Sequence, residues 1–367
     1  MYREKLEAIL EQYAARFDEM NEKGKNKSDA GHKWEVMQAC STLNLDSDEL
    51  LLEFENFAEN TNRLMESSRV QPSGGITILL QHDEEVEFVR SEFKDLLKDD
   101  GGDLEDRQDR IVSFVDDINR HLSMYMDKID IYKQTLSSAI GYLSLVRPKE
   151  NYYYRPSTAD SWAMSIEFSE DFGHNRTFSL RKYYKMCDEI LQELKDFPRV
   201  LELNQKRVDN LGITVDDDLH MLVYDIMLCT DTYHLDANKE KMTVKERLSR
   251  AVIREERENL MDRLLDVEDR LRKLSADVEL PDPVGSSVEH KTFGSGIVKS
   301  CSGGKIEVEF PAGIKKFQYP DAFARGFLKS DDESVMQKFK ENADIVTERR
   351  NLRQEQTQLE DSLRHIG

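Results

Sequence analysis

The chain has 367 residues, of which 38% are hydrophobic and 34% charged. That is room for two or three domains at roughly 100–200 residues each, and it suits a helical protein with much solvated surface. The 52 Lys and Arg stand against 73 Asp and Glu, a formal net charge of −21. This excludes a whole-surface attraction to nucleic acid or anionic lipid, because both need a positive footprint; any nucleic-acid contact must be local.

From Met1 to about Leu235 the pattern is mostly amphipathic helix. Leu6, Ile9, Leu10, Tyr13 and Phe17, spaced by three and four, share one face. Turn signals divide the region. Gly24 to Gly31 is polar, Gln71-Pro-Ser-Gly-Gly reads as a loop, and Lys98-Asp-Asp-Gly-Gly-Asp joins two helices. Trp162-Ala-Met-Ser-Ile-Glu-Phe and His174-Asn-Arg-Thr-Phe-Ser-Leu alternate apolar and polar residues, which predicts a small β-hairpin insertion.

Residues 243–277 form a charged helix in which Leu260, Leu264, Val267, Leu271 and Leu274 recur in steps of four and three, a heptad seam. Leu280-Pro-Asp-Pro ends it. Residues 331–366 carry a second seam, with Ile345, Leu352, Leu359 and Ile366 seven apart. Two such helices around a small domain predict an intrachain antiparallel coiled-coil hairpin, ahead of an intermolecular coiled coil that would make an oligomer.

Between the seams, residues 284–330 hold alternating runs: Val288-Glu-His-Lys-Thr-Phe-Gly-Ser-Gly-Ile-Val, Lys305-Ile-Glu-Val-Glu-Phe and Ile314-Lys-Lys-Phe-Gln-Tyr-Pro. Glycines at 294, 296, 303, 304 and 313 punctuate them, as a tightly curled sheet requires. The pattern predicts a small SH3-like barrel. The His-Lys-x-Phe-Gly-x-Gly-x-Val motif, with the following Ile-x-Val-x-Phe and Lys-Lys-Phe strands, resembles the Tudor-like domain at the C-terminus of UvrD/PcrA-type helicases. That resemblance implies a domain that docks onto protein, such as motor or polymerase-like machinery. The chain departs from the helicase version after Phe317, where Tyr319-Pro-Asp-Ala-Phe-Ala-Arg-Gly-Phe-Leu reads as a short helical turn and a last strand. Phe293, Phe310 and Phe317 read as barrel core. Lys291, Lys315, Lys316 and Phe323 are the candidate partner contacts, against a plain reading of the lysines as solvated strand edges.

Phrases across residues 1–235 resemble the helical region preceding the AAA+ motor of McrB-like restriction proteins. They are His32-Lys-Trp-Glu-Val-Met-Gln, Leu43-Asn-Leu-Asp-Ser-Asp-Glu-Leu, Asn62-Arg-Leu-Met, Ser137-Ser-Ala-Ile-Gly-Tyr-Leu, Arg147-Pro-Lys-Glu-Asn-Tyr-Tyr-Tyr-Arg-Pro and Asp217-Asp-Leu-His-Met-Leu-Val-Tyr-Asp-Ile. This resemblance implies a restriction or phage-defence setting. The sequence holds no Gly-x-x-x-x-Gly-Lys-Ser/Thr loop to cradle phosphates, so no nucleotide hydrolysis and no cofactor are expected.

Arg147, Tyr153, Arg155, Arg181 and Lys182 are the candidate contacts for nucleic acid or another ligand, since guanidinium groups and aromatic faces suit phosphate pairing and base stacking. The plain alternative is a helix junction whose tyrosines pack and whose cations are offset by Glu167, Glu170 and Asp171. Pro281-Asp282 with Glu289-His290-Lys291 matches the letters of a PD-(D/E)-x-K nuclease, but Asp282 lies in a Pro-rich linker. The acidic run Asp99–Asp106 lacks the central glycine and closing glutamate of a calcium loop and reads as a solvated helix start. No histidine spacing suggests a metal site and no Gly-x-Ser-x-Gly elbow occurs. Cys40, Cys187, Cys229 and Cys301 form no Cys-x-x-Cys pair, which predicts reduced thiols. No apolar run nears the ~20 residues of a membrane span, and Met1-Tyr-Arg-Glu-Lys-Leu-Glu is charged. The reading is a soluble cytoplasmic adaptor with no membrane partner. Its alternatives are a metal-dependent nuclease and a local nucleic-acid binder.

Overall fold

The computed structural model describes residues 2–21, 31–61, 64–67, 69–216, 218–236, 242–274 and 280–366. The polar stretch expected over 24–31 falls, apart from Gly31, outside the described residues. So do Asn62, Arg63, Asp217 and the end of the first heptad helix at 275–277. The chain is mainly helical and divides into two compact units, 1–251 and 252–367. No helix among the described residues is long and apolar enough to cross a membrane.

The first unit contains α1 (Arg3–Ala15), α2 (Phe17–Asn21), α3 (His32–Cys40), α4 (Leu50–Asn60), α5 (Pro72–Leu80) and α6 (Val86–Leu96). It continues with α7 (Leu104–Tyr125), α8 (Leu136–Val146), α9 (Pro156–Ser165), α10 (Leu180–Leu194), α11 (Pro198–Leu211) and α12 (His220–Tyr233). Local chemistry starts and stops these helices. Proline stands at the first position of α5, α9 and α11, where its missing N–H removes no intrahelical bond. The Asp103 carboxylate accepts from the Glu105 and Asp106 amides to cap α7, and Thr135 and Ser138 close a reciprocal capping box on α8.

Two expectations are corrected here. Gln71-Pro-Ser-Gly-Gly is not a loop: Pro72 opens α5, and Gly75 lies where an added Cβ would sit 2.3 Å from the Tyr132 carbonyl oxygen. The hairpin over 162–180 is absent, and no strand occurs among the described residues of this stretch. Pro156 launches a helix through Ser165, and Ser179 caps the next one. Trp162 and Ile166, the alternation's first and third apolar members, are also four apart and are both buried. A short period-2 pattern fitted the helical face equally well.

The core of this unit is aromatic. Phe93 packs 4.6 Å from Phe54, 4.9 Å from Phe114 and 5.0 Å from Tyr142, centroid to centroid. Beside the apolar core lies a buried charge network. Asp225 on α12 has no exposed surface. Its carboxylate meets Lys33 Nζ of α3 at 2.9 Å and Arg207 Nη1 of α11 at 2.9 Å, and accepts from Tyr13 OH of α1 at 2.5 Å. Arg207 also donates to Asn204 Oδ1 at 2.6 Å and lies over the Trp34 ring, 3.8 Å from its centroid. Trp34 Nε1 in turn donates to Asp216 Oδ2 at 2.7 Å. Burial alone would push the Asp225 carboxyl up, but Lys33 and Arg207 outweigh it and hold the group at about 2. At Asp216 burial wins over the bonds from the Met221 amide and the Trp34 indole, and the carboxyl rises from 3.8 to about 6.

The second unit contains the greater part of α13 (Val244–Lys273), then β1 (Ser287–His290), β2 (Gly294–Ser302), β3 (Lys305–Phe310) and β4 (Gly313–Gln318). After these come the short α14 (Asp321–Ala324), β5 (Leu328–Ser330) and α15 (Glu333–His365). The strands form one antiparallel sheet in the order β4-β3-β2-β1-β5. The expected barrel does not close. β5 has only three residues and pairs with β1 alone among the described strands, so β4 and β5 are left as the two edges, while the short helical turn and last strand expected after Phe317 are α14 and β5. Val288, Val298, Ile306, Val308 and Phe310 form the core under the sheet with Phe323 of α14 and Phe339 of α15, whose rings stack at 4.4 Å. Further along, α13 and α15 run antiparallel. Arg263 pairs with Glu355 at 3.3 Å and Arg270 with Glu348 at 3.1 Å, one helix rising seven residues as the other falls seven. Val267, Leu352 and Leu359 are buried between them, with Leu260, Leu264, Leu271 and Leu274 partly buried against them.

Removing the Asp225 carboxylate strands two buried cations, so Asp225→Ala is expected to lose about 3–5 kcal/mol in urea unfolding of the full chain. The two carboxyls act oppositely with pH. Asp216 keeps its proton up to about 6 when folded and loses it near 3.8 when unfolded. Its contribution is therefore full below the unfolded value and is lost as pH rises through 6. That of Asp225 is present above 3.8 and is lost as pH falls toward 2. Unfolding measured from pH 3 to 7 should show Asp216→Asn reducing the decline in stability between about pH 4 and 6, while the acid-side loss remains.

Candidate functional site

The sheet of the second unit presents one face to its core and one to solvent. Along β3, Ile306, Val308 and Phe310 are buried, which turns Glu307 and Glu309 outward. Register then decides their neighbours. Glu309 lies between Ile297 of β2 and Ile314 of β4, and Glu307 between Ser300 and Lys316. Ile297 is 49% exposed and Ile314 57%, so two apolar side chains bracket an acid on an open surface. Lys299 pairs with Glu309 at 2.7 Å and Lys316 with Glu307 at 2.8 Å. β4 is an edge strand, with its outer side unpaired among the described strands. A shallow groove lined by Ser287, Gly296, Ile297, Glu309 and Pro311 opens on the Ile297 side of this face.

The candidate contacts fall on both sides of this surface. Lys291 is exposed in the β1–β2 turn, and Lys316 is exposed on the outer face beside Glu307. Lys315 is exposed on the opposite face of the same edge, its Nζ 5.4 Å from the Phe293 ring centroid. Phe310 is buried while Phe293 and Phe317 are half-buried, and His290 stacks on Phe293 at 4.6 Å. Phe323 is corrected as a contact residue. It is wholly buried against Phe339, because α14 drives it into the core. The isoleucines were not singled out by sequence; the signal was present, since β2 and β4 place apolar residues on the face opposite the core residues of their neighbour β3.

In the first unit, Arg147, Arg155, Arg181 and Lys182 lie at helix ends. Arg147 follows α8, Arg155 precedes α9, and Arg181 with Lys182 sits in the first turn of α10. Most are engaged locally. Arg147 donates to the Leu97 carbonyl at 2.6 Å and pairs with Glu150, Arg181 pairs with Glu105 at 2.9 Å, and Lys182 donates to the Asp171 carbonyl at 3.2 Å. Tyr153 is corrected as a stacking platform. It is 4% exposed, lies 4.6 Å from Tyr224, and donates its hydroxyl to the Leu64 carbonyl. Tyr152 and Tyr154 are buried beside it, as three aromatics flanking a helix start are needed to fill the core.

The acidic run before α7 is not all solvated. The Asp100 side chain is buried and meets Arg107 at 2.5 Å and Arg110 at 2.7 Å. Hydrogen bonds from Arg107 foremost hold its carboxyl well below the usual range. Of the nuclease-like letters, Asp282 accepts from the Val284 amide at 3.0 Å outside any strand, Glu289 is exposed on β1, and Lys291 is in the turn. Among the described residues no group of three His, Cys, Asp or Glu side chains gathers as metal ligands.

In comparisons with known proteins, no family model, no curated protein and no solved structure matched the chain.

Gly296 of the Phe-Gly-Ser-Gly motif sits where an added Cβ would fall 2.6 Å from the Phe310 ring and 2.8 Å from the Glu309 carbonyl oxygen. Gly296→Ala is therefore expected to destabilise the sheet unit by about 1–3 kcal/mol. Unfolding followed by near-ultraviolet circular dichroism would report it.

Proposed function

We propose that the chain is a non-catalytic adaptor whose second unit docks a protein partner on the outer face of its sheet. The observation that carries this is the pair of exposed isoleucines, Ile297 and Ile314, flanking Glu309 beside an open edge strand. Apolar area at the centre of a docking surface, ringed by charged side chains, is where interface energy concentrates. An unpaired strand edge adds main-chain donors and acceptors for an incoming segment. The resemblance of residues 284–329 to the Tudor-like domain of UvrD/PcrA-type helicases supports the same reading, with Lys291 and Lys316 as rim contacts. In it the sheet is an SH3-like adaptor module, and α13 with α15 acts as a coiled-coil stalk. The McrB-like phrases of residues 1–235 support a cytoplasmic restriction or phage-defence setting for the adaptor, with a motor or polymerase-like machine as its partner.

The test uses the full chain from its native host, captured with bound proteins that are then quantified by mass spectrometry. Ile297→Thr with Ile314→Thr alters only exposed side chains and keeps strand preference without adding charge beside Glu309, so stability should move little. The specifically captured protein is expected to fall at least tenfold, the equivalent of about 1.4 kcal/mol. Capture unchanged by the double substitution would sink the proposal. So would Mg²⁺-dependent nucleic-acid cleavage that is lost in Asp282→Ala and Glu289→Ala.

A further inference from the structure

We propose that the second unit holds a binding site for a phosphate-bearing small ligand of nucleotide size, in the cavity between the β2–β3 turn and α15. The cavity measures about 850 Å³ and is lined by Gly303, Gly304, Tyr319, Arg349, Arg350 and Arg353. Its place does not depend on the adaptor reading, since neither Ile297 nor Ile314 borders it.

Charge segregation on α15 creates the site. The carboxylates of Glu348 and Glu355 face α13, where Arg270 and Arg263 neutralise them. The cavity side of the helix carries Arg349, Arg350 and Arg353, then Gln354, Thr357 and Gln358, with no acid among them. Arg350 is engaged by Asp321 at 2.9 Å. Arg349 and Arg353 meet no carboxylate among the described residues, and the Arg349 Nε is buried without a hydrogen-bond partner. In a chain of net charge −21, two guanidinium groups without an acid in one cavity stand out. A buried donor left unmet is costly, and a bound acceptor would remove that cost.

The geometry selects the ligand's chemistry. Arg349 and Arg353 are four residues apart, about 6 Å along the axis and on one side of the helix. Two planar forks at that spacing engage adjacent phosphoryl groups bidentately, as a single small anion cannot. Gln354 and Gln358 add neutral donors. Tyr319, whose hydroxyl donates to the Pro281 carbonyl at 2.6 Å, forms another part of the wall. A volume near 850 Å³ exceeds what an isolated anion needs and matches small-molecule sites of roughly 300–1,000 Å³. A nucleic-acid strand is disfavoured, since beyond these arginines it would meet an acidic chain.

Isothermal titration of the full chain with ATP, with pyrophosphate and with a short oligothymidylate tests the site. ATP and pyrophosphate should bind, more weakly as salt rises, with ATP the tighter of the two. Arg349→Gln with Arg353→Gln should weaken both at least tenfold without changing the thermal midpoint, and Arg349→Lys with Arg353→Lys should recover part of the loss. Should the double Gln variant misfold, Arg353→Gln alone, at an exposed position, should still weaken ATP binding severalfold. The proposal is overturned if neither small ligand binds at low salt, or if the arginine substitutions leave affinity unchanged. Oligothymidylate binding tighter than ATP would overturn it in favour of a single-stranded nucleic acid.

Discussion

A carboxylate sealed from water organises the larger unit. Asp225 can exist charged in the interior only because Lys33 and Arg207 neutralise it and Tyr13 donates to it. These groups come from α12, α3, α11 and α1, so the network ties segments up to 212 residues apart in the chain. The surrounding aromatic core supplies most of the burial, and hydrophobic contact is indifferent to small rotations of one helix on another. A carboxylate with three donors within 3 Å is not. The network therefore specifies which faces of these helices meet, and the Arg207 guanidinium over Trp34 extends that constraint to Asp216.

The smaller unit uses another device. Its sheet is open at β4 and β5, and an open sheet with one buried face needs a cover. α14 and the start of α15 provide it by inserting Phe323 and Phe339 as a stacked pair. Closure by helix instead of by strand leaves the β4 edge free and brings α15 alongside the β2–β3 turn. The outer face with its isoleucines and the arginine-lined cavity both follow from that choice.

Charge is handled differently in the two units. In the first, cations that sequence pattern grouped with tyrosines are bound to nearby acids and carbonyls, and the tyrosines fill the core. In the second, α15 turns its acids toward α13 and leaves arginines on its other side. Local pairing of this kind depends on which helix face meets which neighbour, and composition carries no record of it.

Features whose cause is local were legible in the sequence. The leucine spacing of the two long helices, the alternation of β1 to β3, the prolines and the excess of acid each act within a few residues, so helix, strand and charge could be read directly. Register added what could have been read but was not, the outward placement of Ile297 and Ile314. The tertiary structure alone decided the rest. Trp162 to Phe168 fits a strand or a helix, and Pro156 with the surrounding core selected the helix. Phe323 and Tyr153 looked like contacts because aromatic residues serve surfaces and cores alike, and only packing assigned them to cores. The partners of Asp225 were invisible because a buried ion pair requires complementary groups from distant segments, which no spacing along one chain records.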